Sequence, residues 1–172
     1  MQQEVDKRAL RRNLPPPPEV ASAPTTLDDD AFPRCAEHQS EHYKFELSRG
    51  RVITMQSGVK GGHARVVKNI VAEIVRYLDQ DKFDWTDGGF YLKTPFGFRA
   101  RDVCVDPALE DLSVRSTDRP IFAAEVLSPS SGGRDFIDEA ADYLPIATLQ
   151  TYLIASQDEP LARVWQQRLD GT

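Results

Sequence analysis

Asp102, in Arg99-Ala100-Arg101-Asp102-Val103-Cys104-Val105, and Glu125, in Ile121-Phe122-Ala123-Ala124-Glu125-Val126-Leu127, each set a carboxylate inside or at the edge of a short apolar run of strand character. An ionised carboxylate among Val, Ile and Phe is costly unless it is paired or holds a cation. Phosphodiester hydrolysis needs that chemistry: charge on the phosphoryl oxygens must be neutralised and a water made nucleophilic, and Mg²⁺ held by a few carboxylates does both. Two such acids on strands successive in sequence would lie side by side. The carbonyl of Val126 would add an oxygen ligand and Glu46 a third carboxylate. On the competing reading, Asp102 pairs with Arg99 or Arg101 and Glu125 sits at a strand end with water.

The elements that must position these acids begin at Tyr43. Tyr43-Lys44-Phe45-Glu46-Leu47 and Arg51-Val52-Ile53-Thr54-Met55 alternate about Gly50, which predicts a β-hairpin. After Gly61-Gly62-His63, apolar residues recur at Val67, Ile70, Val71, Ile74, Val75 and Leu78, the spacing of one amphipathic helix. Phe90 to Lys93, Val103 to Asp106 and Ile121 to Val126 read as three short strands, the third buried on both sides. A second helix is predicted over 135–143, then strands over 151–155 and 162–166. The order fits an α/β protein, a mixed sheet with helices packed on it.

The first 40 of the 172 residues read differently. Pro15-Pro16-Pro17-Pro18 removes backbone donors and Asp28-Asp29-Asp30 repels itself, so residues 1–40 are predicted to be a disordered Pro-rich, acidic leader. Short helices at Val5 to Arg12 or around Asp28 to Ala36 stay open. The folded domain is placed at 41–172.

Composition excludes several classes. With 40% hydrophobic residues, a mean hydropathy of -0.47 and no apolar run of spanning length, no membrane association is expected. The acidic start does not fit a secretory signal, which points to the cytoplasm. Two cysteines, Cys35 and Cys104, make neither a disulfide framework nor a cysteine zinc site, and Cys104 reads as a core residue. A net charge of -6 argues against a wholly basic nucleic-acid binder, yet Lys60, Arg65 and Lys68 gather at one helix start, and Lys93, Arg99 and Arg101 precede Asp102. His63 there could bond a phosphate or a neighbouring carboxylate. Trp85 and Trp165 read as packing residues.

Phe45-Glu46-Leu47 through Arg51-Val52, His63 at a helix start, Arg101-Asp102-Val103, and Ala124-Glu125-Val126-Leu127-Ser128-Pro129-Ser130-Ser131 followed by Arg134-Asp135 together resemble the Uma-two family of the PD-(D/E)XK, restriction-endonuclease-like superfamily. The resemblance covers roughly Tyr43 to Trp165. It implies a restriction-endonuclease-like fold, a mixed β-sheet flanked by helices, and metal-dependent DNA cleavage with Mg or Mn. The family's Pro-Asp acid falls on Asp102, its (D/E)XK acid on Glu125 and its upstream acid on Glu46. DNA contacts would come from Lys60, His63, Arg65, Lys68, Arg101 and Arg134.

Three departures qualify that expectation. Arg101 replaces the proline before Asp102, read as a change of backbone shape alone. Leu127 stands where the motif has lysine, as is usual in this family. The helix lysine that substitutes for it is Glu139 here, and no lysine follows Lys93. A weakened or inactive nuclease follows, or a nucleic-acid- or protein-binding module of the same fold. Relatives continue into further β-structure beyond Gln166, so the last strand is expected to be an exposed edge through which a homodimer could form.

Overall fold

Alternation about Arg49-Gly50 does produce a hairpin in the computed structural model, which describes residues 43–56, 60–127 and 136–167 together with Phe32. β1 (Tyr43–Ser48) pairs antiparallel with β2 (Arg51–Gln56), and both linking residues take positive φ, 49° at Arg49 and 74° at Gly50. That backbone matches the twist of the flanking strands. Arginine is an uncommon occupant of such a position. Its N–H donates to the Phe96 carbonyl at 2.7 Å, and its guanidinium lies 4.4 Å from the centre of the Phe96 ring and 2.8 Å from Asp142, contacts that offset the strain.

α1 (Gly61–Tyr77) follows, as the helical spacing predicts, and lies against the later strands β6 and β8. Its apolar stripe is half-buried, and His63 is its one buried residue. Six strands come before the next helix: β3 (Phe83–Asp87), β4 (Tyr91–Thr94), β5 (Gly97–Ala100), β6 (Val103–Pro107), β7 (Ser116–Thr117) and β8 (Phe122–Leu127). Then come α2 (Phe136–Tyr143), β9 (Thr151–Ser156) and β10 (Ala162–Gln166). The sequence predicts only β4, β6 and β8 of the six. β3 alternates only over Phe83-Asp84-Trp85-Thr86 among charged neighbours, β5 opens on a glycine and carries an arginine, and β7 has two residues, so each is too short to stand out.

Two five-stranded sheets form where the sequence predicts one. Their orders are β2-β1-β5-β4-β7 and β10-β9-β8-β6-β3, antiparallel except for β4 with β7 and β8 with β9. β8 is central in the second sheet and β10 is one of its edges, as expected. The chain passes from the first sheet to the second through Arg101 and Asp102, between the end of β5 and the start of β6. The acid of interest therefore stands at the junction of the sheets.

Two apolar clusters form the core. Phe45, Leu47 and Phe98 pack with Phe32, which lies 5.4 Å from the Phe98 ring and 5.3 Å from Tyr91 between centroids. Phe32 belongs to the stretch expected to be a leader, yet this ring is in the core. Around β8, β9 and α2 the cluster is Leu92, Ala123, Ala140, Tyr143, Ile146, Leu149, Tyr152 and Ile154, with Trp165 against it. Trp85 is 42% exposed, so of the two tryptophans only Trp165 packs as expected. Cys104 is buried and free, and burial pushes its thiol pKa far up, consistent with an inert core residue. No described helix is long and apolar enough to cross a membrane. The proposed leader helices, apart from Phe32, and residues 128–134 lie outside the described residues.

Gly97 permits the closest approach in the first sheet. Its φ is 139°, and a Cβ there would meet the Leu47 carbonyl oxygen at 2.2 Å. Gly97→Ala is expected to lower stability by about 2 kcal/mol or more, read as a fall in the urea midpoint at unchanged slope.

Asp106 faces Asp84 across the β3–β6 ladder and is fully buried. Burial first, and Asp84 further, raise its carboxyl pKa above the usual range, against the lowering effect of Thr117, Cys104 and Arg119. The folded chain then holds this proton more tightly than the unfolded one. Stability from this group is present at acid pH and is lost as pH rises through the folded pKa. Asp106→Asn is therefore expected to raise the Tm at neutral pH and to leave it nearly unchanged in acid, measured by thermal melts across pH.

Candidate functional site

Glu46 sits in β1 between Phe45 and Leu47, where both faces of the strand are covered, so its carboxylate must find donors within the protein. It finds three. Oε2 accepts from Arg99 at 2.8 Å, and Oε1 accepts from Arg101 at 3.0 Å and from the Ala100 N–H at 3.1 Å. Residues two apart on an extended chain share a face, which explains how Arg99 and Arg101 both reach it. Arg99 continues to Ser48 Oγ at 3.0 Å and to Asp142 on α2, which also pairs with Arg49 at 2.8 Å.

Arg101 is the hinge of this arrangement. Its other terminal nitrogen donates to Glu125 on β8, and its guanidinium lies 4.5 Å from the centre of the Tyr143 ring. The side chain is 2% exposed. One guanidinium thus ties an acid of the first sheet to an acid of the second. Burial alone would lower its pKa, but Tyr143, Glu125 and Glu46 oppose burial and hold it well above the ordinary value. The residue that the sequence treats as a change of backbone shape is a buried cation with two acid partners.

Asp102 uses different partners. Its Oδ2 accepts the N–H of Val126 at 2.7 Å and meets Nε2 of His63 at 3.1 Å. Neither Arg99 nor Arg101 pairs with it among the described contacts, contrary to the competing sequence reading. The bond to Val126 anchors the Asp102 carboxylate to the residue that follows Glu125, at the end of the β6–β8 pair, whose register includes Val103 opposite Ala124. The two acids therefore occupy one end of that strand pair and stay partly open, with side chains 15% and 24% exposed.

Of the two partners open to His63, a phosphate or a neighbouring carboxylate, the structure shows the second: the residue is buried in the first turn of α1, with Nε2 directed at Asp102 and Nδ1 enclosed without a hydrogen-bond partner. Lys60, Arg65 and Lys68 are exposed at the same helix start, and the first turn carries no acid to cancel the positive end of the helix dipole. Arg101, expected with them, faces inward and is not presented to a nucleic acid. Arg134 and the side chain of Glu139 lie outside the described residues, although position 139 falls on α2.

Hard oxygen donors suit Mg²⁺, which keeps several waters and needs only one or two carboxylates from the protein. Asp102 and Glu125, with the Val126 carbonyl, fit that demand. Glu46 differs from them in that its oxygens accept from two arginines and a backbone N–H. Among the described residues no group of three or more His, Cys, Asp or Glu is arranged to hold a metal. The sequence could have exposed the role of Arg101 through the Arg-Ala-Arg spacing, which sets two cations on one face beside a buried acid.

The fold is similar to a solved structure from Anabaena variabilis described as a "putative nuclease belonging to DUF820", with a TM-score of 0.57 and 16% identity over 83% of this chain and 86% of that one. At that identity the likeness speaks for the fold alone. No curated protein matches the chain. Residues 29–172 match the Uma2 family, described as "Putative restriction endonuclease". The chain belongs to the Uma2 family, with a nuclease-like fold in which Asp102 and Glu125 share one end of a strand pair.

Proposed function

We propose that this chain is a metal-dependent endonuclease acting on DNA phosphodiesters, with Asp102 and Glu125 as the acids that would hold Mg²⁺ or Mn²⁺ and the Val126 carbonyl as a further ligand. The reading is supported by one observation: Asp102 is bonded to the backbone next to Glu125, and both carboxylates are partly exposed. A bound dication would neutralise phosphoryl charge and lower the pKa of a water. His63 orients Asp102 through Nε2. Lys60, Arg65 and Lys68 are exposed along the start of the helix that carries His63, and cations there suit a phosphate backbone. Glu139 or Arg134 would stand where the superfamily lysine is missing. Glu139 could polarise water; the guanidinium of Arg134 cannot act as a base.

The test is cleavage of supercoiled and linear DNA over several divalent ions, with chelator as control. Cation-dependent nicking that is stronger in Glu139→Lys supports the proposal. DNA binding unchanged by chelator, with no nicking in either protein, would favour a binding module of the same fold. The pairing of Arg101 with Glu125 is the observation on that side.

A further inference from the structure

We propose that Arg101 is the resident counter-ion of the candidate metal centre: its guanidinium satisfies Glu125 and Glu46 together, and a divalent ion gains Glu125 only in competition with it. The inference rests on the metal-site reading above and concerns how that site is filled.

Charge balance argues for it first. Among the described residues the acids Glu46, Glu125 and Asp142 meet the buried Arg99 and Arg101 and the half-exposed Arg49, three charges of each sign. A dication added beside Glu125 would face the Arg101 guanidinium across the same carboxylate, and like charges at that range in a poorly hydrated site repel strongly.

Geometry argues for it second. Arg101 is sandwiched between an acid from each sheet with Tyr143 against its face, so it cannot swing into solvent without breaking both pairs. Its Nε is buried without a hydrogen-bond partner, so the two acids fix its position more than full satisfaction of its donors does. Asp102 shows the contrast. Its Oδ2 contacts a histidine and a backbone N–H and no guanidinium among the described contacts, so a cation there meets no resident arginine, whereas Glu125 is already paired with one.

Because such coupling is reciprocal, removing Arg101 must strengthen ion binding as much as the ion weakens the Arg101 pairs. The experiment is a Mn²⁺ titration of the full chain, followed by the electron paramagnetic resonance signal of the free ion, in wild type, Arg101→Gln, Glu46→Gln/Arg101→Gln and Asp102→Asn/Glu125→Gln. The expected result is a Kd about tenfold or more lower in the Arg101 variants than in wild type, with binding lost in the acid double variant. If Arg101→Gln alone fails to fold, the Glu46→Gln/Arg101→Gln chain, which carries no stranded charge at position 46, makes the comparison. Equal affinity in wild type and the Arg101 variants would overturn the counter-ion role while leaving the metal-site reading intact. No binding in any protein, or binding that survives Asp102→Asn/Glu125→Gln, would overturn both.

Discussion

Asp102→Ala is expected to cut divalent-ion-dependent DNA cleavage about a hundredfold or more, and Glu125→Ala to do the same. Each would lose half of the carboxylate pair that the strand end presents. The two variants should differ in stability, and that difference makes the comparison informative. Asp102→Ala strands the Val126 N–H and leaves Nε2 of His63 without its acceptor, so it should also unfold at lower urea. Glu125→Ala removes one partner of Arg101 but leaves Glu46 in place, so Arg101 keeps an acid. Nicking assays with circular dichroism on both proteins separate loss of chemistry from loss of fold. Full activity in a folded Glu125→Ala chain would refute the metal-site assignment.

Arg101→Met carries the largest expected cost in stability, about 3–5 kcal/mol, because it takes its arginine from Glu125 and one of two arginines from the buried Glu46. Equilibrium urea unfolding would measure it, and the loss should depend little on salt, since buried pairs are weakly screened. Arg101→Lys should recover only part of the loss. A single ammonium cannot offer the planar fork that reaches Glu46 and Glu125 at once. The surface pair Lys82–Asp79 is the contrast: its side chains are 73% and 44% exposed, and Lys82→Ala should change stability by less than about 1 kcal/mol.

How far the sequence anticipates this molecule depends on whether local pattern or distant pairing decides each feature. The hairpin, α1, α2, β8, β9 and β10 all follow from alternation or helical spacing within a few residues. Strands β3, β5 and β7 are stabilised by ladders to distant partners, such as Asp84 to Asp106 and Ser48 to Gly97, which leave little local pattern. The same division runs through the site. Asp102 and Glu125 stand out because acids interrupt apolar runs. The partnership of Arg101 with Glu46 and Glu125 spans two sheets, and the Arg-Ala-Arg spacing is its one local trace. The division into two sheets is hidden for the same reason, since it turns on the break at Arg101 and Asp102.

The ring of Phe32 has a practical consequence for anyone trimming the chain. A fragment starting at Tyr43 would look complete by strand content, yet it would lack the aromatic plug between Phe98 and Tyr91 and open a void beside Phe45. Excising a core phenylalanine usually removes about 3–5 kcal/mol, a large share of what a domain of this size has to spare. Shortened versions should therefore keep residue 32, and a fragment without it should bind hydrophobic dyes and melt without cooperativity.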